Sequence, residues 1–217
     1  EKSRKRARDA RAEAAEARAQ RIGAAGNGAP MDTVWVAHCL DQVRGAADIV
    51  VSESQLPIAH LSLTEPGTYF GTSPAGGLGW GVGAALGVKL GAPARRVFSV
   101  VGDGAYMFGN PTPAHYVGAA NELPVLTVIL NNHMWGSVRT ATLGLYPDGA
   151  AAKLNRAPLT TLDPAPDYEK IVEASGGYGE KVEAACDLPG AFERALKAVE
   201  VDKRQAVLNV MTSYDDS

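Results

Sequence analysis

Apolar residues in this chain form short uninterrupted runs, and these runs alternate with segments in which apolar residues recur every three or four positions. Strands of a parallel sheet are buried on both faces and therefore show such uninterrupted runs. The pattern predicts strands over 48–51, 97–101, 125–130, 179–182 and 206–210. Helical spacing between them predicts helices over 32–43, 77–90, 112–121, 168–174 and 188–199.

Strands that alternate with helices in this way indicate an α/β fold with a doubly wound, mainly parallel sheet and helices on both faces. The first 22 residues differ, because they are rich in Ala, Arg and Glu and contain almost no large apolar side chain. We interpret them as a charged connecting helix, and a basic RNA-binding arm is the alternative. Gly and Pro in 23–30 predict a linker. The expected division is therefore helix and linker over 1–30 and one α/β domain over 31–217.

Composition narrows the possible classes of protein. The 217 residues are 46% hydrophobic, enough for a sizeable core, and 21 Lys and Arg against 24 Asp and Glu give a net charge of −3. That balance does not favour a nucleic-acid-binding protein. Two cysteines are too few for a disulfide scaffold or a zinc cluster, and no apolar run approaches 18 residues. We expect a cytoplasmic protein that binds neither nucleic acid nor a membrane.

Two polar clusters follow directly after predicted strands. Gly102-Asp103-Gly104 follows strand 97–101, and Asn131-Asn132 follows strand 125–130. Ligands of open α/β sheets bind at the carboxyl ends of the strands, so Asp103 and Asn132 can converge there. Carboxylate and amide oxygens suit Mg²⁺ or Ca²⁺, and phosphate oxygens commonly complete the coordination of Mg²⁺. The glycines allow close approach of the backbone, and a helix starting near Ala105 offers amides to a phosphate.

The spacing of these clusters resembles a known family. Residues 105–130 separate them, and the thiamine-diphosphate-dependent enzymes have Gly-Asp-Gly followed about 25 to 30 residues later by Asn-Asn. The chain is most similar to the acetolactate synthase and benzoylformate decarboxylase branch over about 31–210, including Pro66-Gly67-Thr68-Tyr69 and the Gly-rich segment 76–87. The resemblance implies a C-terminal diphosphate-binding domain with thiamine diphosphate and Mg²⁺ as cofactors.

The same resemblance implies roles for individual residues. The metal would be bound by Asp103, the Asn132 side chain and the Met134 carbonyl. The diphosphate would be bound by Gly102, Gly104, the amides of Ala105 and Tyr106, and the loop Glu53-Ser54-Gln55. Leu78 would support the cofactor as an apolar wedge, and the Gly76 carbonyl would bind its aminopyrimidine. The pocket would be lined by Trp135, Gly136, Ser137 and Val138.

The resemblance also implies what must come from outside this sequence. The family's activating Glu belongs to a separate pyrimidine-binding domain, so we expect no catalytic residue here and a companion chain or segment carrying that domain and the central domain. Such units would form a dimer or tetramer. The expected reaction is lyase or carboligase chemistry on a small-molecule 2-oxoacid. Acetolactate synthases carry a Trp where this chain has Ala141, which argues against strict acetolactate synthesis.

Three alternatives stay open at this point. A non-catalytic scaffold subunit could retain the fold. A nucleotide-binding dehydrogenase is suggested by the loose G-x-G-x-x-A pattern over 79–84, but no buried strand is predicted in 69–75, where that motif requires one. His133, next to Asn132, is the histidine best placed for catalysis, although a lone histidine is more often structural.

Overall fold

The computed structural model describes residues 2–72, 75, 77–154 and 159–214. Within these ranges one parallel sheet has the strand order β2-β1-β3-β4-β6-β5. Its strands are β1 (Ile49–Glu53), β2 (Tyr69–Phe70), β3 (Val97–Gly102), β4 (Leu126–Asn131), β5 (Tyr178–Val182) and β6 (Ala206–Met211). The five strands predicted from the sequence are confirmed, and all pairs are parallel.

Helices connect the strands. They are α1 (Lys2–Ala25), α2 (Thr33–Val43), α3 (Gly81–Gly91), α4 (Asp103–Phe108), α5 (Pro111–Ala120), α6 (Gly136–Leu145), α7 (Ala150–Lys153), α8 (Glu169–Glu173) and α9 (Leu188–Glu200). The oxygen Oδ1 of Asp32 accepts a hydrogen bond from the Val34 amide at 2.7 Å and so caps the start of α2. In the described residues no helix is long and apolar enough to span a membrane.

The core lies on both faces of the sheet, as a doubly wound fold requires. Alternate residues of each strand point to opposite faces, and Phe98 and Val100 of β3 pack with α2 and α9 on one side. On the other side, Val101 packs with Tyr106 of α4 and Tyr168, and Val97 packs with Leu86 of α3. Burial of every residue from Val97 to Val101 explains why this strand is apolar nearly throughout.

Helices α4 and α5 show how the sequence interrupts a helix. Helix α4 begins at Asp103 and ends at Phe108, and α5 begins at Pro111. Proline has no amide hydrogen and its ring clashes with a preceding helical turn, so it starts a helix rather than continuing one. The helix predicted over 112–121 is therefore confirmed, with its start one residue earlier. The short α4 places Asp103 at the carboxyl end of β3.

Three features differ from the expectation. Helix α1 extends through Gly23 to Ala25, because Ala25 is only 5% exposed and Gly26 lies against the Trp35 ring, so packing stabilises the last turn. Strand β2 was missed because it has two residues, and Phe70 is exposed. Helices α6 and α7 were missed because they expose most of their residues and therefore lack a clear apolar face.

Candidate functional site

An open cleft of about 790 Å³ lies at the carboxyl ends of the central strands. It is lined by residues that follow β1, β3 and β4, which is where parallel sheets bind ligands. The site residues predicted from the sequence that line it are Glu53, Ser54, Gln55, Leu78, Gly102, Asp103, Gly104, Ala105, Asn132, Met134, Trp135, Gly136, Ser137 and Val138. The two polar clusters are thus brought together around one cavity.

Asp103 is the buried acid of this cleft. It is the first residue of α4 and is 2% exposed. Its Oδ1 accepts a hydrogen bond from the Gly104 amide at 2.9 Å, whereas its buried Oδ2 has no hydrogen-bond partner within the described part of the chain. Burial raises the pKa of Asp103 to about 6, even though the amides of Gly104, Met134 and His133 act to lower it. An ionised carboxylate oxygen that is buried without a hydrogen-bond donor costs free energy, and a bound cation would offset that cost.

The loop after β4 lies against Asp103. The Met134 and His133 amides are close enough to affect the pKa of the Asp103 carboxyl. Asn132 Oδ1 accepts a hydrogen bond from the Met134 amide at 3.2 Å, which fixes the amide side chain within the loop. His133 has a φ of 60°, so the chain makes a tight left-handed turn between Asn132 and Met134, two of the three predicted metal ligands.

A buried chain of hydrogen bonds supports this loop from below. Glu169 of α8 accepts a hydrogen bond from Asn209 Nδ2 at 2.8 Å, and Asn209 Oδ1 accepts one from Asn131 Nδ2 at 3.0 Å. Asn131 Oδ1 in turn accepts a hydrogen bond from the His133 amide at 3.1 Å. The first Asn of the Asn-Asn pair therefore has a structural role, since it connects the loop to β6 and α8.

Segment 160–162 supports the loop from the other side. The Trp135 amide donates to the Thr160 carbonyl at 2.8 Å, and the Leu162 amide donates to the His133 carbonyl at 2.7 Å. These bonds form an antiparallel bridge between Met134 and Thr161. Neither bond engages the Met134 carbonyl, which is the group predicted to bind a metal.

Gly104 and Trp135 are in close contact. A Cβ atom at Gly104 would lie 2.6 Å from Cε3 of Trp135, far inside van der Waals contact. The Trp135 ring also packs edge-on against Phe108, with centroids 6.4 Å apart. The second glycine of Gly-Asp-Gly is therefore required for the ring of Trp135 to lie over the start of α4.

Among the remaining predicted residues, Tyr106 and His133 lie outside the lining of the cleft. Tyr106 does not line the cleft: its hydroxyl is within 2.7 Å of His115 Nε2 in the core, and burial raises its pKa. Its side chain is therefore structural, and its predicted amide contact stays a prediction. Gly76 lies outside the described residues. His133 does not line the cleft either, and its Nδ1 lies 3.5 Å from Asp163 Oδ1 at the surface.

Glu53 lines the cleft but its carboxylate is already engaged. Oε1 accepts a hydrogen bond from the Gly79 amide, and Oε2 accepts one from the Gly81 amide. The side chain therefore binds protein backbone rather than pointing into the cleft as a free acid. A direct contact between this loop and a ligand would have to come from its backbone, Ser54 or Gln55.

Several lining residues were not predicted. Thr212, Ser213 and Tyr214 follow β6 and reach the cleft. The rule that identified Asp103 would have found them, because they also follow a buried parallel strand. Arg21 of α1 also lines the cleft, and no sequence pattern indicates this, because its position depends on how α1 packs against α2.

The donor set fits a hard divalent cation. Among the described residues no group of three or more His, Cys, Asp and Glu could hold a metal ion, so a soft-metal site of that kind is not formed by them. One carboxylate, one amide oxygen and one backbone carbonyl are oxygen donors of the type that Mg²⁺ uses, with water and phosphate oxygens as the remaining ligands. The unpartnered oxygen of Asp103 is consistent with this arrangement.

Comparison with known proteins identifies the family. Residues 51–210 match the family model described as thiamine pyrophosphate enzyme, C-terminal TPP binding domain, thiamine pyrophosphate being another name for thiamine diphosphate. The chain belongs to this family of thiamine-diphosphate enzymes. The resemblance in the Gly-Asp-Gly and Asn-Asn clusters is thereby confirmed, and the dehydrogenase alternative is wrong.

Relatives within the family place the chain near two kinds of enzyme. It is 35% identical over 147 residues to the acetolactate synthase large subunit of Mycobacterium tuberculosis, covering 68% of this chain and 24% of the relative. It is 31% identical over 179 residues to benzoylformate decarboxylase of Pseudomonas aeruginosa, covering 79% of this chain and 31% of the relative.

A solved structure supports the fold assignment. The thiamine diphosphate-dependent 4-hydroxybenzoylformate decarboxylase of Rhodococcus jostii RHA1 superposes with a TM-score of 0.74 at 29% identity, covering 88% of this chain and 34% of that one. The chain therefore spans about a quarter to a third of the length of these relatives. The other two thirds or more of each relative lie outside the matched region.

Proposed function

We propose that this chain is the diphosphate- and Mg²⁺-binding part of a thiamine-diphosphate-dependent lyase or carboligase that acts on 2-oxoacids. The observation that carries the proposal is the unpartnered buried oxygen of Asp103, which lies beside the Asn132–Met134 loop in the cleft. A buried anion without a partner destabilises the fold. A bound divalent cation would remove that cost.

Each part of the cleft has a proposed task. Asp103, the Asn132 side chain and the Met134 carbonyl would hold Mg²⁺. The backbone at Gly104 and Ala105, and the loop after β1, would bind the diphosphate. Bound thiamine diphosphate supplies the electron sink for breaking or making a bond next to a carbonyl. The protein residues bind and orient the cofactor, and Leu78, which is 44% exposed and lines the cleft, supports its organic part.

The substrate class and the assembly are also proposals. Relatives named benzoylformate decarboxylase and acetolactate synthase support a 2-oxoacid substrate. The activating Glu would come from a pyrimidine-binding domain on a companion chain or another segment, in a dimeric or tetrameric cytoplasmic enzyme. The partial coverage of the relatives supports this proposal, because the matched region is only about a third of their length or less.

Calorimetric titration of the chain with thiamine diphosphate tests the binding function. We expect saturable binding in the presence of Mg²⁺ and loss of binding when EDTA replaces the metal, because the diphosphate contributes ligands to the ion. The Asp103→Ala variant serves as the matched control and should not bind even with Mg²⁺. Equal binding with and without metal would contradict the proposed site.

Turnover measurements separate an enzyme part from a scaffold. The chain alone should not decarboxylate benzoylformate or pyruvate in the presence of cofactor and Mg²⁺. Activity should appear when the pyrimidine-binding and central domains are supplied. If Asp103→Ala leaves the activity of the assembled protein unchanged, this chain is a non-catalytic scaffold subunit and the proposal is contradicted.

A further inference from the structure

Both carboxylate oxygens of Glu53, at the carboxyl end of β1, accept hydrogen bonds from backbone amides. The residue is 7% exposed. Its Oε1 accepts a hydrogen bond from the Gly79 amide at 2.5 Å, and its Oε2 accepts one from the Gly81 amide at 2.6 Å. A carboxylate is the side chain best suited to this task, because both of its oxygens are acceptors and its charge strengthens each bond. Gly81 is also the first residue of α3, whose amino-terminal end favours a negative charge.

The backbone held by Glu53 forms a short turn, residues 78–81, which we name the Leu78 turn. Gly79 has a φ of 83°, and a Cβ there would lie 2.6 Å from Cα of Gly109, just beyond α4. A Cβ at Gly81 would lie 2.8 Å from Cγ1 of Val101 on β3. The turn is therefore in close contact with the Val101 side chain on β3 and with the backbone just beyond α4.

These contacts determine where Leu78 lies. Leu78 is substantially exposed and lines the cleft, so its own packing contributes little to its position. Its position depends on the backbone of the Leu78 turn. Helix α4 begins at Asp103 and ends next to Gly79. Helix α4 therefore lies between Asp103, the proposed metal ligand, and the turn that carries Leu78, the proposed apolar support of the cofactor.

We propose that Glu53 is a positioning residue for this site. Its two hydrogen bonds hold the Leu78 turn against α4 and thereby fix Leu78 relative to Asp103. The consequence is selective affinity for a ligand that has an organic ring attached to its diphosphate, compared with the diphosphate alone. The inference rests on the proposed function, since it assumes that Asp103 and Asn132 bind a metal diphosphate.

Replacement of Glu53 by Gln should affect the two ligands differently. Gln has the shape of Glu but offers one acceptor oxygen and one NH₂ group, so one of the two backbone amides would face another donor. A lost buried hydrogen bond to a charged group loosens the turn. The organic ring would lose its support, whereas the metal and diphosphate contacts at Asp103, Asn132 and Met134 would remain.

Titration of Glu53→Gln with two ligands tests the inference. In the 217-residue chain with Mg²⁺, we expect the variant to bind thiamine diphosphate about tenfold more weakly than wild type, while its affinity for inorganic pyrophosphate stays within about twofold. Amide hydrogen exchange over 77–84 should become faster. Glu65→Gln is the matched control, because Glu65 is exposed and, among the described residues, its hydrogen bond is made by the backbone carbonyl. This variant should match wild type in all three measurements.

A double-mutant cycle with Leu78→Ala shows whether the effect passes through Leu78. The two single variants should weaken thiamine diphosphate binding, and the double variant should lose less than the product of the two losses. Where Glu53→Gln does not fold, Glu53→Asp replaces it, since the shorter carboxylate cannot reach both amides and should show the same selective loss.

The possible outcomes distinguish this inference from the proposed function. Wild-type chain that binds neither ligand in the presence of Mg²⁺ would overturn both. Wild-type binding with an unchanged Glu53→Gln profile, or with equal weakening of both ligands, would overturn the positioning role of Glu53 alone. Additive losses in the cycle would do the same.

Discussion

At the scale of single residues, Asp103 shows a conflict between stability and binding. Burial raises its pKa to about 6 from the usual 3.8 of an Asp side chain, so its ionised form destabilises the metal-free fold. Its contribution to stability is therefore fully present below about pH 3.8 and is lost as the pH rises through about 6. Asp103→Asn removes the charge and keeps an oxygen for the Gly104 amide. At pH 7.5 it should raise the free energy of unfolding of the metal-free chain by about 3 kcal/mol, measured by urea denaturation.

The pH dependence provides the control for this prediction. At pH 4 most of the wild-type carboxyl is already neutral in the folded chain, so the difference between Asp103→Asn and wild type should become small. The same variant should lose metal-dependent binding of thiamine diphosphate. If Asp103→Asn instead lowers the free energy of unfolding at pH 7.5, the Asp103 carboxylate is satisfied in the fold, which would contradict the site described above.

The glycines on either side of Asp103 offer a matched pair. A Cβ at Gly104 would lie 2.6 Å from the Trp135 ring, whereas a Cβ at Gly102 would have nothing within 4 Å. Gly104→Ala should therefore destabilise the fold by about 1–3 kcal/mol. Gly102→Ala should change it by less than about 0.5 kcal/mol. Urea denaturation of both variants measures the difference, and equal stabilities would show that Trp135 is free to move.

The sequence could predict residues of one kind and not of another. Asp103 and Asn132 were predictable because each follows a strand whose apolar run is visible in the chain. The contact between Gly104 and Trp135, and the bonds from Glu53 to Gly79 and Gly81, join residues far apart in the sequence. Such contacts depend on packing geometry, which no local pattern encodes.

At the scale of elements, the chain Glu169–Asn209–Asn131 connects α8, β6 and the metal loop. Asn209→Leu would leave buried polar groups of Glu169 and Asn131 without partners, at a cost of about 2–4 kcal/mol in unfolding free energy. It should also weaken metal-dependent cofactor binding, because the loop after β4 loses its support. Denaturation and titration together measure the two effects.

Asn27→Leu is the control for this change. Asn27 is exposed, and within the described part of the chain its side chain donates to the Gly23 carbonyl of the same helix end at 3.2 Å and to no other group. Its replacement should leave both stability and binding within error of wild type. A similar small effect of Asn209→Leu would show that the hydrogen-bond chain does not support the loop.

Elements differ in how far the sequence predicts them. Strands β1, β3, β4 and β6 are central and fully or nearly fully buried, so their apolar runs predict them within one or two residues. The edge strand β2 consists of two residues whose pairing with Val50 and Val51 is set by the neighbouring strand. A two-residue strand such as β2 and an exposed helix such as α6 carry too little burial to leave a pattern, whereas the longer edge strand β5 was predicted.

At the scale of the whole molecule, the contacts between α1 and the domain that the described residues make lie towards the C-terminal end of α1. Arg18 donates to the His60 carbonyl at 2.7 Å and lies 3.5 Å from Asp41, and Ala25 is buried. Residues 12–17 are exposed. Deletion of 1–16 should therefore leave the melting temperature unchanged, whereas deletion of 1–26 should lower it by several degrees. Equal melting temperatures would support the predicted boundary at residue 30, since everything before it would then be dispensable.

The location of a bound metal decides whether Asp103, Asn132 and Met134 form a cation site. Crystals of the chain grown with thiamine diphosphate and Mn²⁺ in place of Mg²⁺ allow the ion to be located by anomalous scattering. The account predicts one strong peak about 2.2 Å from a carboxylate oxygen of Asp103, the side-chain oxygen of Asn132 and the carbonyl of Met134. A peak elsewhere, with the cofactor bound and these three oxygens directed away from it, would contradict the account.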